Sequence, residues 1–258
     1  MAITKDNIAL YLSIQEKNGQ EREMERWHCS SLSECPKAQY LQRMQVGESA
    51  IPSAALLLRW QSGHHMEEAI REHIPSLFSK NDKVLSNIRM QDEELDLTGE
   101  YDNYAVLDKT LVEIKTVHDY AFIQRDKKAY LKENVGLDDR GKIIWDIKKE
   151  PYLHHEIQNH AYALMLDRQP DKELQGVTSI KYVYISLSGR MVTYETPIKP
   201  LLMDNVKGRL EVLNEAWEEK VPPKCICDER HPLYAPVMQY CKYKTEVGCC
   251  LETKEEEK

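Results

Sequence analysis

The order of secondary-structure signals predicts an α/β protein with a central mixed β-sheet flanked by helices. Helical periodicity comes first along the chain and is followed by several short strand-like runs. A helix, two strands joined by a Ser-Gly turn, and a final helix complete the pattern. At 258 residues the chain is long enough for one large domain, and we expect a single domain over residues 1–258.

The N-terminal part of the chain is predicted to be helical. Residues 1–20 are polar with helical character, and a second helix is expected to carry Pro36 in its first turn, where proline is tolerated. A long helix is predicted within residues 51–78, because several side chains recur at spacings of three and four and so share one broad face. These side chains are Leu56, Leu57, Trp60, His64, Glu67 and Glu68.

The middle and the end of the chain supply the strands and the remaining helices. Alternating runs predict strands at 84–91, 94–102, 104–108 and 111–117. A helix and a loop are expected over 118–150, another helix over 151–167, a strand pair over 177–198 and a helix over 201–220. Two prolines end that helix, a cysteine-rich stretch follows, and residues 251–258 form a charged tail.

Composition limits the class of protein. Charged residues make up 30% and apolar residues 41% of the chain, as in a soluble globular protein. The longest apolar run is too short to span a membrane, and the N-terminus lacks the features of a signal peptide, so we expect a cytoplasmic protein. The net charge of -8 argues against a surface coated with non-specific nucleic-acid contacts, but it is compatible with a metal site lined by carboxylates.

The stretch "GEYDNYAVLDKTLVEIKTV", residues 99–117, carries acids in two adjoining strands. Because side chains alternate along a strand, Glu113 and Lys115 point to the same face. If this face meets water, the charges belong to an ordinary edge strand. If the face lies in a cleft that also holds Asp102, the three residues form a metal site with a lysine beside it.

These residue types suit phosphodiester hydrolysis, which needs a divalent cation, a positioned water and a stabilised leaving oxygen. Mg²⁺ prefers oxygen ligands, so Asp102 and Glu113 are the expected metal ligands, and the Ile114 carbonyl can add a third oxygen. Lys115 would orient the water or stabilise charge in the transition state, and proximity to a metal would lower its pKa.

"GEYD", ten intervening residues and "EIK" together resemble the core signature of the PD-(D/E)XK nuclease superfamily. "QNHAY" on the predicted 151–167 helix resembles the Q-x-x-x-Y element of its RecB-like branch. The resemblance implies a restriction-endonuclease-like core, in which Gln158 and Tyr162 help to organise the site and to bind DNA. The simpler alternative for this pair is a surface glutamine beside a half-buried tyrosine.

The long helix departs from the family pattern. The family places a metal-binding histidine four residues after a glycine, and here Gly63 is followed at that spacing by Glu67. We therefore expect Glu67 to be a metal ligand, with His64 on the same face as a partner. A solvated helix face explains both residues equally well.

Seven cysteines occur in the chain, and five of them lie between Cys225 and Cys250. One RecB-like branch, which includes recombination and CRISPR-adaptation nucleases, binds a [4Fe-4S] cluster through one upstream and three downstream cysteines that join the chain ends. By resemblance, segments 25–50 and 221–250 would hold this cluster. The spacing between the downstream cysteines is longer than in the family, so a Cys₄ zinc site stays open. Reduced, buried cysteines are the third alternative. The expected ligands are Cys35, Cys225 or Cys227, Cys241, and Cys249 or Cys250.

Taken together, the resemblance implies a Mg²⁺- or Mn²⁺-dependent DNA nuclease, with an exonuclease acting on single strands or DNA ends favoured over a sequence-specific endonuclease. It would act in recombination, repair, phage DNA metabolism or CRISPR adaptation. Its expected partners are DNA and proteins of recombination, replication or CRISPR adaptation, and no membrane. One rival is a metal-stapled subunit that binds DNA or protein without cutting. Another is a zinc-bound regulator with a surface hairpin at 99–117. The converging Asp102, Glu113 and Lys115 favour the nuclease.

Overall fold

The computed structural model describes residues 25–46, 54–117, 131–137, 143–148 and 151–225. Within this part of the chain the helices are α1 (Pro36–Arg43), α2 (Ala54–Arg71), α3 (Leu153–Asp167) and α4 (Pro200–Glu219). The strands are β1 (Trp27–His28), β2 (Val84–Asp92), β3 (Leu97–Ala105), β4 (Thr110–Val117), β5 (Leu131–Leu137), β6 (Ile143–Lys148), β7 (Ser179–Ser186) and β8 (Met191–Pro197). The predicted fold class, a central mixed sheet flanked by helices, is confirmed.

Strand β3 organises the six-stranded sheet. β2 pairs antiparallel along the length of β3, while β1, in parallel, and β4, antiparallel, share the other edge of β3. β4 then pairs in parallel with β7, and β7 pairs antiparallel with β8. The sheet is therefore mixed, with β4 at its centre between an antiparallel and a parallel neighbour.

The two faces of β4 are covered by different helices. Leu111 and the neighbouring Tyr182 belong to the large core that is covered by α3 and α4. Val112 and Ile114 belong to a smaller core, against which Met66 of α2 packs. Because side chains alternate along the strand, Glu113 and Lys115 lie on the α3 face, and Thr116 lies on the α2 face.

The N-terminal segment packs against the last helix. The Trp27 indole N–H donates to Asn214 Oδ1 at 2.6 Å, and the Trp27 and Trp217 rings meet edge to face. The Arg43 guanidinium lies 4.4 Å from the centre of the Trp27 ring and 4.0 Å from that of Trp217. Cation–π contacts and a partly buried hydrogen bond thus fasten the beginning of the described chain to α4.

Several predicted elements differ from the structure. The predicted strands at 94–102 and 104–108 are parts of one strand, β3. β2 pairs with β3 from Leu97 to Ala105, and only Asn87 of β2 is left out of the pairing. The helix and loop predicted over 118–150 are wrong for the part of this stretch that the structure describes. That part forms two antiparallel strands, β5 and β6. The helices at 151–167 and 201–220 and the strand pair at 177–198 are confirmed.

The long helix in 51–78 ends at Arg71, and a 3₁₀ turn, Ile74–Leu77, follows with Pro75 near its start. Proline removes a backbone donor and disfavours continuation of the helix. The predicted helix at 1–20, the tail at 251–258 and much of segment 221–250 lie outside the described residues. Among the described helices, none is long and apolar enough to cross a membrane.

Candidate active site

The strands β3 and β4 separate at the predicted motif. Their antiparallel pairing ends at Asn103 opposite Val112, so Asp102 and Glu113 would have formed the next pair. Instead, the Ile114 N–H donates to Asp102 Oδ2 at 2.8 Å. A carboxylate has replaced the strand backbone as hydrogen-bond acceptor, which satisfies a buried N–H. We call the space between β3 and β4 beyond this point the strand gap.

Helix α2 places a second carboxylate on the same edge of β4. The Thr116 N–H donates to Glu67 Oε1 at 2.6 Å, and the Thr116 hydroxyl donates to the Gly63 carbonyl at 3.0 Å. Residues two apart on a strand point their backbone groups to the same edge, about 7 Å apart. Asp102 and Glu67 therefore sit side by side along β4, and the Ile114 carbonyl points to that same edge.

Arg71, on the last turn of α2, binds the motif aspartate. Its Nε and Nη2 groups donate to Asp102 Oδ1 at 3.1 Å and 2.6 Å. Both side chains are about nine-tenths buried, with 11% and 12% exposed. Arg71 lies four residues after Glu67, so both side chains project from one face of α2. This face supplies the Glu67 carboxylate to the strand gap and binds the Asp102 carboxylate through Arg71.

On the other face of β4, Glu113 and Lys115 form an ion pair. Lys115 Nζ lies 2.6 Å from Glu113 Oε1, and the glutamate side chain is 1% exposed while the lysine is 27% exposed. Gln158 Nε2 of α3 donates to the same Glu113 oxygen at 3.0 Å and to the Tyr162 hydroxyl at 2.8 Å. The two N–H groups of one amide therefore join Tyr162 to the motif glutamate.

The electrostatics of this group follow from burial. Burial raises the pKa of Glu113 to about 7, and Asp102 and Glu67 add to the rise, although Lys115 opposes it. Burial alone would lower the pKa of Lys115, but the charges of Glu113, Asp102 and Glu67 outweigh it and raise that pKa. These acids favour the charged form of Lys115, and the lowering of its pKa by a nearby metal stays a prediction.

The oxygen atoms of the two motif carboxylates are used unequally. Asp102 Oδ1 accepts two N–H groups from Arg71, and Glu113 Oε1 accepts from Lys115 and Gln158. An ionised carboxylate offers about four lone-pair positions. Asp102 Oδ2 accepts the Ile114 N–H and has one position left, and Glu113 Oε2 accepts from no described donor. This all-oxygen donor set, with the Ile114 carbonyl beside it, fits a hard divalent cation.

Among the residues that the structure describes, no group of three or more His, Cys, Asp or Glu side chains could by itself hold a metal ion. Mg²⁺ commonly uses only one or two protein carboxylates and takes its other oxygens from water and substrate. Asp102 and Glu113 are sufficient for such a site.

The predicted site residues are thus largely brought together. Glu113, Lys115, Gln158 and Tyr162 form one hydrogen-bonded group. The charges of Asp102 and Glu67 act on Glu113 from the neighbouring strand gap, where the Ile114 N–H binds Asp102. His64 is not part of it, since its ring is 65% exposed and lies 3.6 Å from Glu68 rather than beside Glu67. Arg71 was missed, although its position four residues after Glu67 was a usable signal.

Two of the predicted cysteine ligands, the buried Cys35 and the partly buried Cys225, lie next to each other. Cys35 Sγ and Cys225 Sγ, 190 residues apart, lie 3.8 Å from each other and are not joined by a disulfide. Cys29, which was not a predicted ligand, is buried against the Met165 sulfur at 3.5 Å. The other predicted ligands, Cys227, Cys241, Cys249 and Cys250, lie outside the described residues.

Comparison with known proteins shows similarity in fold. No protein-family profile matches the chain, and no curated protein matches it in sequence. An alkaline exonuclease from Laribacter hongkongensis has a similar structure, with a TM-score of 0.52 at 10% identity over 79% of this chain and 93% of that chain. A phage-related exonuclease from Haemophilus somnus gives 0.46 at 13% identity over 76% and 94%. The first likeness gives this chain the nuclease-like fold, a mixed sheet flanked by helices.

Proposed function

We propose that this protein is a metal-dependent nuclease that hydrolyses DNA phosphodiester bonds. The observation that carries the proposal is a buried Glu113–Lys115 ion pair close enough to the Asp102 carboxylate to feel its charge, at the point where β3 and β4 separate. A purely structural strand pair has no need for two buried carboxylates with unused oxygen capacity beside a charged lysine. The fold shared with an alkaline exonuclease supports the same conclusion.

Asp102 and Glu113, with the Ile114 carbonyl and Glu67 at the edge of the strand gap, would hold Mg²⁺ or Mn²⁺. When bound, the ion would neutralise charge on the scissile phosphate and make a bound water more acidic. The raised pKa of Glu113 agrees with this role, because a buried carboxylate among other carboxylates is stabilised in its ionised form by a cation.

Lys115 would act as a charged donor. Its ammonium group, paired with Glu113, would donate hydrogen bonds to the attacking water or to a phosphate oxygen. The contact with Glu113 fixes where the ammonium lies, and its 27% exposure leaves part of it accessible to a substrate. Preorganised charge of this kind stabilises the transition state.

Gln158 would position Glu113 rather than contact the reacting atoms. Its amide is held from the other side by the buried Tyr162 hydroxyl, so Glu113 Oε1 is fixed and Oε2 is the oxygen left for a cation.

The likeness to an alkaline exonuclease favours an exonuclease over an endonuclease. The sequence resemblance favours single strands or DNA ends as its substrate.

The cysteines would form a separate, structural metal site. Two thiolates bound about 2.3 Å from one tetrahedral ion lie about 3.8 Å apart. The Cys35–Cys225 distance of 3.8 Å supports a single shared ion such as Zn²⁺, with the remaining ligands among the cysteines further along the chain. A [4Fe-4S] cluster binds each cysteine to a different iron, so it would require these two sulfurs to lie further apart.

A cleavage assay tests the nuclease proposal. End-labelled single- and double-stranded DNA is incubated with the protein in Mg²⁺, in Mn²⁺ and in chelator. We expect metal-dependent cutting that Glu113→Gln and Lys115→Ala each reduce by 100-fold or more, since both remove groups that act at the reacting phosphate (about 2.7 kcal/mol or more of transition-state stabilisation).

Glu100→Gln is the matched control, because Glu100 is an exposed acid on β3 two residues before Asp102. This variant should cut at the wild-type rate. Full cleavage by a folded Lys115→Ala protein, or no cleavage by the wild type with either metal, would overturn the proposal.

A further inference from the structure

A cleft of about 450 Å³ adjoins the candidate active site on the α2 side of the sheet. Two of its lining residues, Glu67 and Thr116, are also the residues that join α2 to the edge of β4. The cleft and the strand gap therefore lie on either side of the Glu67–Thr116 contact. A cavity of this volume lies within the range of sites that bind small organic groups.

Helix α2 contributes an exposed tryptophan to the lining of the cleft. Trp60 lines it and is 49% exposed. Of the three tryptophans whose side chains the structure describes, Trp27 is buried and Trp217 is half-buried, both in the aromatic cluster at α4. Among the described residues no aromatic ring packs against Trp60, so its ring offers an open face to a ligand in the cleft.

The chemistry of the cleft selects the kind of ligand. Trp60 offers a flat aromatic face, and Arg59 next to it offers an exposed guanidinium. An aromatic face stacks on any nucleobase, and a guanidinium pairs with phosphate oxygens. The apolar side chains of Val117 and Leu187 complete the wall. A base that is paired in a duplex has no face available for such stacking except at a helix end.

We propose that this cleft binds one unpaired nucleotide of a DNA strand next to the scissile phosphate, with its base stacked on Trp60 and its phosphate near Arg59. This inference rests on the proposed nuclease function and specifies its substrate: the strand enters the site with at least one base out of the duplex. The cleft would therefore favour single strands and frayed ends over internal duplex DNA.

Binding without cleavage tests the inference. The affinity of a fluorescently labelled oligothymidylate is measured by anisotropy in chelator, where no hydrolysis occurs. Stacking contributes about 1–3 kcal/mol per base, so Trp60→Ala should weaken binding by about 5- to 150-fold, and Trp60→Phe should weaken it less. Leu58→Ala is the matched control, because Leu58 lies on the same helix and is 48% exposed but does not line the cleft.

A series of oligonucleotides with one abasic nucleotide at successive positions locates the contact. At one position the abasic change should weaken binding to the wild type and have no effect on binding to Trp60→Ala, since both changes remove the same stack. Equal affinities of wild type and Trp60→Ala for all substrates would overturn the inference.

The two proposals fail in different ways. If the wild type cuts DNA while Trp60→Ala binds and cuts like the wild type, the cleft inference is wrong and the nuclease function stands. If the wild type binds single strands through Trp60 but never cuts, the nuclease function is wrong and the cleft still binds a nucleotide.

Discussion

Arg71 holds the Asp102 carboxylate with two N–H groups in a largely buried position, across 31 residues of sequence. We expect Arg71→Gln to lower the free energy of unfolding by about 3–5 kcal/mol, because it leaves a buried carboxylate without its counter-charge. Asp102→Asn in the same chain should recover much of the loss, since the uncompensated charge is then gone. Urea unfolding of both single variants and the double variant measures this coupling.

The control for Arg71 is an ion pair at the surface. Lys181 Nζ lies 3.5 Å from Glu195 Oε2, and the two side chains are 35% and 54% exposed. Lys181→Gln should change stability by less than about 1 kcal/mol, because water screens such a pair. An Arg71→Gln protein as stable as Lys181→Gln would show that the Arg71–Asp102 contact does not form in solution.

Gly99, the first residue of the "GEYD" motif, is required by close packing rather than by backbone conformation. A Cβ atom at this position would lie 2.6 Å from Tyr162 Cε1 and 2.7 Å from Cys29 Sγ, both inside van der Waals contact. Gly99→Ala should therefore destabilise the protein by about 1–3 kcal/mol and displace Tyr162, which positions Gln158.

Gly208→Ala is the opposite case and the control for Gly99. Gly208 lies inside α4, and no atom would contact an added Cβ within 4 Å. Alanine is the better helix former, so this variant should gain about 0.5–1 kcal/mol. Thermal unfolding of both variants checks the pair, and equal effects of the two changes would contradict the packing argument.

At the scale of elements, α3 and the start of α4 are joined through a neutral histidine. His160 Nδ1 lies 2.7 Å from the Glu156 carbonyl, and the Lys199 N–H donates to His160 Nε2 at 2.9 Å. A carbonyl only accepts, so Nδ1 carries the proton and Nε2 is the acceptor. Protonation of Nε2 would place two N–H groups against each other, and burial lowers the pKa of His160 in the folded protein.

This lowered pKa has a defined effect on stability. Above pH 6.5 the histidine is neutral in both states and contributes no pH dependence. As the pH falls below 6.5, the unfolded chain takes up a proton that the folded protein does not, so stability falls by up to about 1.4 kcal/mol per pH unit. We expect the decline between pH 7 and 5 to be smaller in His160→Gln than in the wild type.

Unfolding curves at half-unit pH intervals measure this difference. His65→Gln is the control, because His65 is exposed on α2 and lies outside the α3–α4 contact. It should not remove the part of the slope that His160→Gln removes. An unchanged slope in His160→Gln would mean that this histidine titrates alike in the folded and unfolded states.

Sequence periodicity predicted the elements where one pattern dominates. The alternation around Glu113 and Lys115 correctly predicted that both residues share a face, because a strand buried on both sides fixes its register. It could not predict β5 and β6, since their mixed polar sequence is compatible with a helix and depends on pairing with each other. Arg71 was missed for a related reason: an arginine at the end of a helix is usually solvated, and only the folded sheet brings Asp102 beneath it.

At the scale of the whole molecule, the two ends of the described chain are joined twice. Trp27, Arg43 and Trp217 form one contact between the N-terminal segment and α4. Cys35 and Cys225 form the other. Burial lowers the pKa of the nearby Arg209 on α4, and the charge of Cys35 opposes this shift. These contacts close the sheet and its helices into one unit, so a metal at Cys35 would stabilise the whole fold.

The last prediction concerns this closure. We expect the anaerobically purified wild type to contain iron with absorption near ~400 nm, or zinc without it. Cys35→Ser and Cys225→Ser should each lose most of the metal and lower the midpoint of thermal unfolding, because a metal that binds only the folded chain stabilises that chain. The double variant should lose no more metal than either single variant, since each change alone abolishes the same site.

Cys29→Ala is the control and should keep its full metal content, because Cys29 contacts Met165 and not the Cys35 sulfur. Elemental analysis of all four variants decides the matter: equal metal content in Cys35→Ser and wild type would show that the cysteines at the chain ends meet without a shared metal.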